Sequence, residues 1–299
     1  MTRRGLFLFA AMCLIWGTPY LLIRVAVGEV SPATLVFLRT GIGALLIMPV
    51  VLGRGGLRGI GSRWLPLVAF AAVEIAIPWL FLSSAEQKIS SSLAGLLLSA
   101  VPLVATLIAP LFGNRDWVGP AGVAGLLLGV AGVAAIVGFD LRASAPFALA
   151  EMALVAISYA VGPAILSRYL GGVPSVSVIG ISLTLCALAY LPVAVWQRPH
   201  TLPSVPVLAS VAVLGVVCTA IAFLIFFALI AEIGPVRATV ITYVNPAVAA
   251  LLGVLVLKEN FTLGMGAGFG LVLAGSVLAT RKPAGKAAAP EHAAESTSV

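Results

Sequence analysis

Two charged side chains lie inside long apolar runs of the sequence, where they are well placed to do chemistry. Glu74 lies within the sixteen-residue stretch LVAFAAVEIAIPWLFL, and Arg39 lies within SPATLVFLRTGIGALL. A charge at the centre of a lipid-spanning helix costs about 2.5 to 3.5 kcal/mol on insertion scales. Each of these charges therefore requires a compensating partner or serves a function.

Three interpretations of Glu74 remain open. In the first, Glu74 and Arg39 form an intramembrane charge pair, because their depths differ by roughly 7 Å at a rise of 1.5 Å per residue, within reach of a long Arg side chain. In the second, Glu74 faces a cavity and binds a cationic group of a substrate, such as the ammonium of an amino acid. In the third, Glu74 carries a proton during transport, because burial in lipid favours the neutral carboxyl.

Aromatic and polar residues near the predicted midplane are candidates for the walls of such a cavity, since binding sites combine apolar and aromatic walls with a few polar groups. Trp79 and Tyr243 are the strongest candidates because they neighbour the helix-breaking prolines Pro78 and Pro246, and Pro102 is expected to break a third helix. The remaining candidates are Trp16, Tyr20, Ser83, Ser99, Tyr159 and Asn245.

The elements that position these residues follow from composition. Hydrophobic residues make up 61% of the chain and charged residues 9%, and the mean hydropathy is +1.17, as in a membrane protein. A bilayer core about 30 Å thick needs roughly 20 apolar residues per helix, and the chain supplies ten such runs. The predicted all-α spans are residues 5–27, 34–52, 64–83, 90–112, 118–138, 146–169, 175–195, 204–230, 236–257 and 262–280.

The distribution of charge predicts the orientation of these helices. The chain has 17 Lys and Arg against 10 Asp and Glu, but the basic residues are spread over short loops rather than gathered as in a nucleic-acid site. With the N-terminus inside, most of them fall on the inner side of the membrane, which places both termini in the cytoplasm by the positive-inside rule. We therefore expect a multi-pass membrane protein, with the lipid bilayer and a small-molecule substrate as its partners.

Several chemistries have no signature in the sequence. No GxxxxGK[ST] loop for nucleotide phosphates and no HExxH zinc motif occur, and the two histidines, His200 and His292, lie outside the predicted spans. The three cysteines have no paired spacing. No cofactor, metal or enzymatic activity is therefore expected. A membrane-embedded enzyme and a non-transporting assembly partner are the alternatives of other classes, and the oligomeric state is left open.

The sequence also contains an internal repeat. A shift of 143 positions aligns Trp16 with Tyr159, Pro49 with Pro192 and Gly132 with Gly275. Each half then holds five spans, and because five is odd, the second half is expected to cross the membrane in the opposite orientation. The predicted domains are a first repeat at 1–140, a second, inverted repeat at 141–280, and a disordered cytoplasmic tail at 281–299. Inverted halves are typical of transporters that work by alternating access.

These residues resemble a known family. The segments LIWGTPYLLIRVAV and LKENFTLGMGAGFGLVLAG, with Pro32, Arg39, Pro102 and Pro246, are similar to the EamA family of the drug/metabolite transporter superfamily, over residues 5–280. The resemblance implies a bacterial inner-membrane exporter of amino acids, including aromatic ones, or of related metabolites, with a cavity between the halves. An exporter of another class of compound, such as nucleobases, sugars or drugs, is the alternative. It also matches Glu259 to the acidic residue that follows the ninth span in the family. The corresponding residue after the fourth span is usually Glu in the family, whereas here it is Asp116.

Overall fold

The chain folds almost entirely into helices. The computed structural model describes residues 1–56, 60–112, 119–138 and 146–280, and within these ranges it contains no strand. Nine apolar helices there are long enough to cross a membrane, and a tenth apolar helix, Ile241–Leu257, is shorter, which confirms the predicted all-α membrane fold. They are α1 Arg3–Ala26, α2 Pro32–Gly53, α3 Gly61–Ala85, α4 Ser91–Phe112, α5 Pro120–Gly138, α6 Pro146–Tyr169, α7 Ser175–Trp196, α8 Val205–Ile233, α9 Ile241–Leu257 and α10 Leu263–Thr280. Asp116 and the predicted tail at 281–299 lie outside the described residues.

Prolines interrupt several of these helices. The helix α1 consists of Arg3–Gly17 and Pro19–Ala26, and α4 contains Ser91–Leu98 and Val101–Ile108, so the second break lies just before Pro102 as expected. Proline lacks the N–H that would continue the helical ladder. The structure differs from the prediction at Pro246, which lies inside the continuous α9. The interruption there falls earlier, between the short helix Pro235–Ala238 and α9.

Two helices each contain one π-helical turn at matching positions of the repeat. These turns are Ala71–Ala76 in α3 and Val216–Ile221 in α8, and the 143-residue shift places Val73 on Val216. In the first turn the N–H of Ile77 donates to the carbonyl of Ala72, five residues back. Pro78 follows immediately and lies at the start of the α-helical part that completes α3. Such turns re-aim side chains and are frequent at functional sites.

Helices of the two halves pack directly against each other around these turns. The helix α2 packs on α7 and α8, α3 packs on α6 and α7, and α1 packs on α8 and α9. Contacts also join helix ends: Thr2, at the start of α1, donates to Glu232 near the end of α8, and Arg63, in the first turn of α3, donates to the carbonyl of Gly171 after α6. The interior is therefore shared by both halves.

Candidate functional site

Arg39 lies at the interface between α2 and α8. Its side chain is 7% exposed, its Nε donates to the Thr219 hydroxyl over 3.0 Å, and its Cζ lies 3.6 Å from the centre of the Trp79 ring. Thr219 approaches α2 closely because residue 43 is glycine: a Cβ there would lie 2.7 Å from the Thr219 Cγ2. The guanidinium is thus stacked on α3 and hydrogen bonded to the π-helical turn of α8.

The predicted ion pair between Arg39 and Glu74 is not formed. Within the described parts of the chain, the salt bridge present joins Arg4 to Glu232 at 3.9 Å, and no carboxylate oxygen comes within 4 Å of Arg39. The physical reason is the direction of the two side chains. Arg39 turns toward α8, whereas Glu74 lies in the π-helical turn of α3 and turns toward α6.

The Glu74 carboxylate packs on the backbone of α6 at Gly162. A methyl group on Gly162 would overlap the carboxylate, so this position requires glycine as long as Glu74 keeps its place. Among the described residues the Glu74 Oε2 is buried and has no hydrogen-bond partner. A buried acceptor without a donor is unfavourable by about 1 to 3 kcal/mol, and more if it is charged. This oxygen therefore needs a proton or an external donor.

Tyr159 of α6 links the two charges. Its hydroxyl lies within electrostatic range of both Arg39 and Glu74, and its side chain lies beside that of Trp79. Tyr20 of α1 lies near Arg39 and Tyr159 as well. Five of the predicted residues, Arg39, Glu74, Trp79, Tyr159 and Tyr20, are thus brought into one cluster, which we call the central cluster. Its members come from α1, α2, α3 and α6.

Trp16 lies on α1, four residues before Tyr20 of this cluster. It packs on two rings of α8, with its centroid 5.8 Å from that of Phe223 in an edge-on arrangement and 4.7 Å from that of Phe226. This aromatic group joins α1 to α8 just beyond the π-helical turn Val216–Ile221. A direct role for Trp16 in substrate binding stays a prediction.

The polar candidates bond mainly to their own helices. Ser83 donates to the Trp79 carbonyl over 2.7 Å, and Ser99 donates to the Leu96 carbonyl over 2.5 Å. The buried Asn245 amide donates to the Ile241 carbonyl over 3.0 Å in its better orientation, and Tyr243 is half-buried on the same helix. Ser83 and Ser99 are thus occupied within their own segments, whereas the Asn245 amide also donates to the Cys13 carbonyl of α1 over 3.3 Å.

The π-helical turns receive bonds from the opposite half of the chain. Tyr190 of α7 donates to the Ala76 carbonyl over 3.0 Å, and the Cys186 thiol donates to the Ala71 carbonyl over 3.4 Å. These bonds to α3 correspond to the bond from Arg39 of α2 to Thr219 of α8, since α2 and α7 occupy matching places in the repeat. Each half therefore holds the π-helical turn of the other.

Two acidic residues that sequence reasoning did not assign to a site occupy the end of the bundle beyond α3. The Glu259 carboxylate caps the first turn of α4 by accepting from the N–H groups of Ser91 at 2.8 Å and Ser92 at 2.9 Å, and from both hydroxyls. Glu86 is fully buried, and neither of its carboxylate oxygens has a partner among the described residues. Arg24 donates instead to the main-chain carbonyl of Glu86.

A cavity of about 450 Å³ opens near the other end of the bundle, between α4 and α6. Its walls include Ala105, Phe112, Ala160 and Arg168, and it reaches the helix that carries Tyr159. A second cavity of about 350 Å³ lies between α2, α3 and α7, beside Phe81 and Tyr190. Neither cavity contains Arg39 or Glu74.

The chain is similar to known membrane transporters in sequence and to a solved structure in fold. The family model described as the EamA-like transporter family matches it twice, over residues 3–138 and 147–281. The chain is 26% identical to the uncharacterized inner membrane transporter YedA of Escherichia coli K12, over 81% of this chain and 79% of the relative. It is 27% identical to the uncharacterized transporter YvbV of Bacillus subtilis 168, over 96% and 95%. A solved crystal structure with 24% identity matches the fold with a TM-score of 0.67, covering 94% of this chain and 97% of that one.

Proposed function

Because this chain belongs to the EamA-like transporter family and is a multi-pass membrane transporter of that type, we propose that it exports amino acids, with aromatic and other hydrophobic ones as leading substrates. Related small metabolites are the alternative class. In this proposal the transporter works by alternating access and lies in an inner membrane, the location named for its relative YedA. Both termini lie in the cytoplasm in this proposal.

The observation that carries the proposal is the Glu74 carboxylate. Its Oε2 is buried near the middle of α3 without a donor among the described residues, and it lies near Tyr159 of the other half. An ammonium group supplies both the charge and the hydrogen bonds that this oxygen lacks. The Trp79, Tyr159 and Tyr20 rings around it suit a hydrophobic side chain, as in pockets with aromatic walls and few polar groups.

Alternating access is supported by contacts between helix ends. The start of α1 meets the end of α8, and the start of α3 meets the end of α6. Since α1 and α3 are the counterparts of α6 and α8 in the repeat, this arrangement favours two halves with opposite orientation. Such halves let one central site face either side of the membrane as they rock about it.

Counterflow in proteoliposomes tests the proposal. Liposomes containing the purified chain are loaded with unlabelled amino acids, nucleobases or sugars, and the uptake of each labelled counterpart is measured. We expect counterflow with hydrophobic and aromatic amino acids and none with the other two classes. Counterflow with nucleobases or sugars alone would contradict the amino-acid assignment, and counterflow with no compound of the panel would contradict this function for the chain.

Glu74→Gln separates substrate binding from proton coupling. If Glu74 binds the ammonium, the variant loses counterflow at every pH; if it carries the proton, the variant keeps counterflow but no longer responds to a pH gradient. Glu29→Gln is the matched control because Glu29 is an exposed carboxylate far from the central cluster, bonded to Ser204. Normal counterflow and a normal pH response in Glu74→Gln would contradict both roles.

A further inference from the structure

Arg39 is a buried cation whose hydrogen-bonding capacity is only partly used. Its Nε donates to Thr219, and within the described residues neither terminal amino group has a hydrogen-bond partner. A guanidinium has five N–H donors in a planar fork. Four of them are therefore available, on the side of the group that pairs with planar anions.

The charge of Arg39 is also uncompensated at close range. Across the described ranges no carboxylate oxygen lies within 4 Å of it, and the charged group within its electrostatic range is Glu86, at the end of the bundle. A buried charge is strongly unfavourable unless it is paired. The Trp79 ring offsets part of this cost through a cation–π contact, but it cannot accept a hydrogen bond in the plane of the fork.

The surroundings hold Arg39 rigidly. Thr219, which accepts from Nε, itself donates to the Leu214 carbonyl over 2.8 Å, five residues back in the π-helical turn of α8. The Trp79 face fixes the plane of the guanidinium from α3. An Arg held in this way is preorganised to bind a ligand and loses little side-chain freedom on binding.

We propose that the terminal amino groups of Arg39 bind the carboxylate of the transported substrate, so that a zwitterionic amino acid spans the central cluster with its ammonium toward Glu74. This inference rests on the proposed function and assigns the second charge of the substrate. Tyr159 lies near both residues and forms the wall between the two charged ends. Two separated, opposite charges select zwitterions over amines and over acids, because the missing partner leaves one buried charge unpaired.

The test compares each amino acid with its decarboxylated amine. The probes are L-phenylalanine with phenethylamine and L-leucine with isoamylamine, used as competitors of labelled amino-acid counterflow in proteoliposomes. For the wild-type chain we expect each amino acid to compete at least tenfold better than its amine. For Arg39→Gln we expect the amino acid to lose at least tenfold in apparent affinity while the amine changes less than threefold.

Two further variants keep the test decisive. Arg39→Lys retains the charge without the planar fork, so it should keep part of the preference for the amino acid over the amine. This result would show that the lower affinity of Arg39→Gln is not caused by misfolding. Arg24→Gln is the matched control, because Arg24 also lies in a membrane helix but donates to the Glu86 carbonyl. For this variant we expect the amino acid and the amine to compete with labelled counterflow as they do for the wild type.

The outcomes distinguish this inference from the function on which it rests. If the wild-type chain shows no amino-acid counterflow, both are overturned. If it does, but Arg39→Gln weakens amino acid and amine equally, or weakens neither, Arg39 serves only to pack α2 against α8. The proposed function then stands and the carboxylate site is rejected.

Discussion

The Arg39 Nε donates to the Thr219 hydroxyl over 3.0 Å and thereby joins α2 in the first half of the chain to the π-helical turn of α8 in the second. The bond fixes the one buried cation of the central cluster. Contacts of this kind join the two halves of the chain.

Removal of the Thr219 hydroxyl should weaken this link. Thr219→Val keeps the shape of the side chain but leaves Nε of Arg39 without an acceptor, and hydrogen bonds to charged groups contribute about 1.5 to 3 kcal/mol. We expect a lower apparent Tm in detergent and weaker amino-acid binding. Thr219→Ser retains the hydroxyl and should resemble the wild type; equal Tm values for all three chains would contradict the prediction.

The helix cap on α4 should contribute a comparable free energy to the stability of the chain. Glu259→Ala removes the acceptor of four bonds from Ser91 and Ser92, and loss of a helix cap typically costs about 0.5 to 2 kcal/mol. We expect a fall in Tm, with a smaller fall for Glu259→Gln, which keeps one acceptor oxygen. A Tm unchanged in Glu259→Ala would show that water replaces the carboxylate at this end of the bundle.

The contact between α5 and α10 should tolerate no side chain at its centre. A Cβ on Gly268 would lie 2.6 Å from the Gly132 carbonyl oxygen, whereas a Cβ on Gly270 of the same helix would meet no atom within 4 Å. Because small residues allow this close approach, we expect Gly268→Ala to destabilise the chain by about 1 to 3 kcal/mol. Gly270→Ala is the matched control and should keep the wild-type Tm. A similar Tm for both variants would contradict the packing.

Glu86 should make stability depend on pH. Burial, and next the nearby Glu259, raise the pKa of Glu86 well above its ordinary value, although Arg24 and Arg39 oppose the shift and Tyr20 also faces the group. The folded chain thus keeps a proton that the unfolded chain releases near its ordinary pKa of about 4.3. The contribution of Glu86 to the stability of the folded chain is fully present below that pH and is lost as the pH rises through the raised pKa. The Tm of Glu86→Gln should therefore exceed that of the wild type increasingly toward alkaline pH.

Glu29 provides a control of opposite sign. The hydrogen bonds from the Ser204 side chain and N–H lower the pKa of Glu29, so its contribution is present at neutral pH and lost as the pH falls. Glu29→Gln should therefore lower the Tm slightly at neutral pH and match the wild type in acid. A Glu86→Gln curve that runs parallel to the wild type across the whole pH range would contradict the assignment for Glu86.

The helices could be predicted from the sequence because each span is an apolar run of membrane length. The predicted span 146–169 matches α6, and the break before Pro102 follows from the missing N–H of proline. The interruption near α9 was misplaced, because Pro246 stays helical while the turn at Thr239 and Val240 precedes it. The sequence contains no equally clear signal for the π-helical turns.

The site could be predicted only in part. The rise per residue gives the depths of Arg39 and Glu74, but it does not give the direction of a side chain around its helix, which decides their partners. Thr219, Gly162 and Glu86 were missed because their roles arise from packing between helices distant in the sequence. The one available signal was the charge of Glu86 immediately after an apolar run.

Equilibrium binding of labelled L-phenylalanine to the purified chain tests the substrate site at the central cluster most directly. We expect one saturable site per chain that is lost in Arg39→Gln and in Glu74→Gln and retained in Arg24→Gln. Saturable binding of equal strength in all four chains, or its absence from the wild type under conditions that keep the chain folded, would contradict a substrate site at the central cluster.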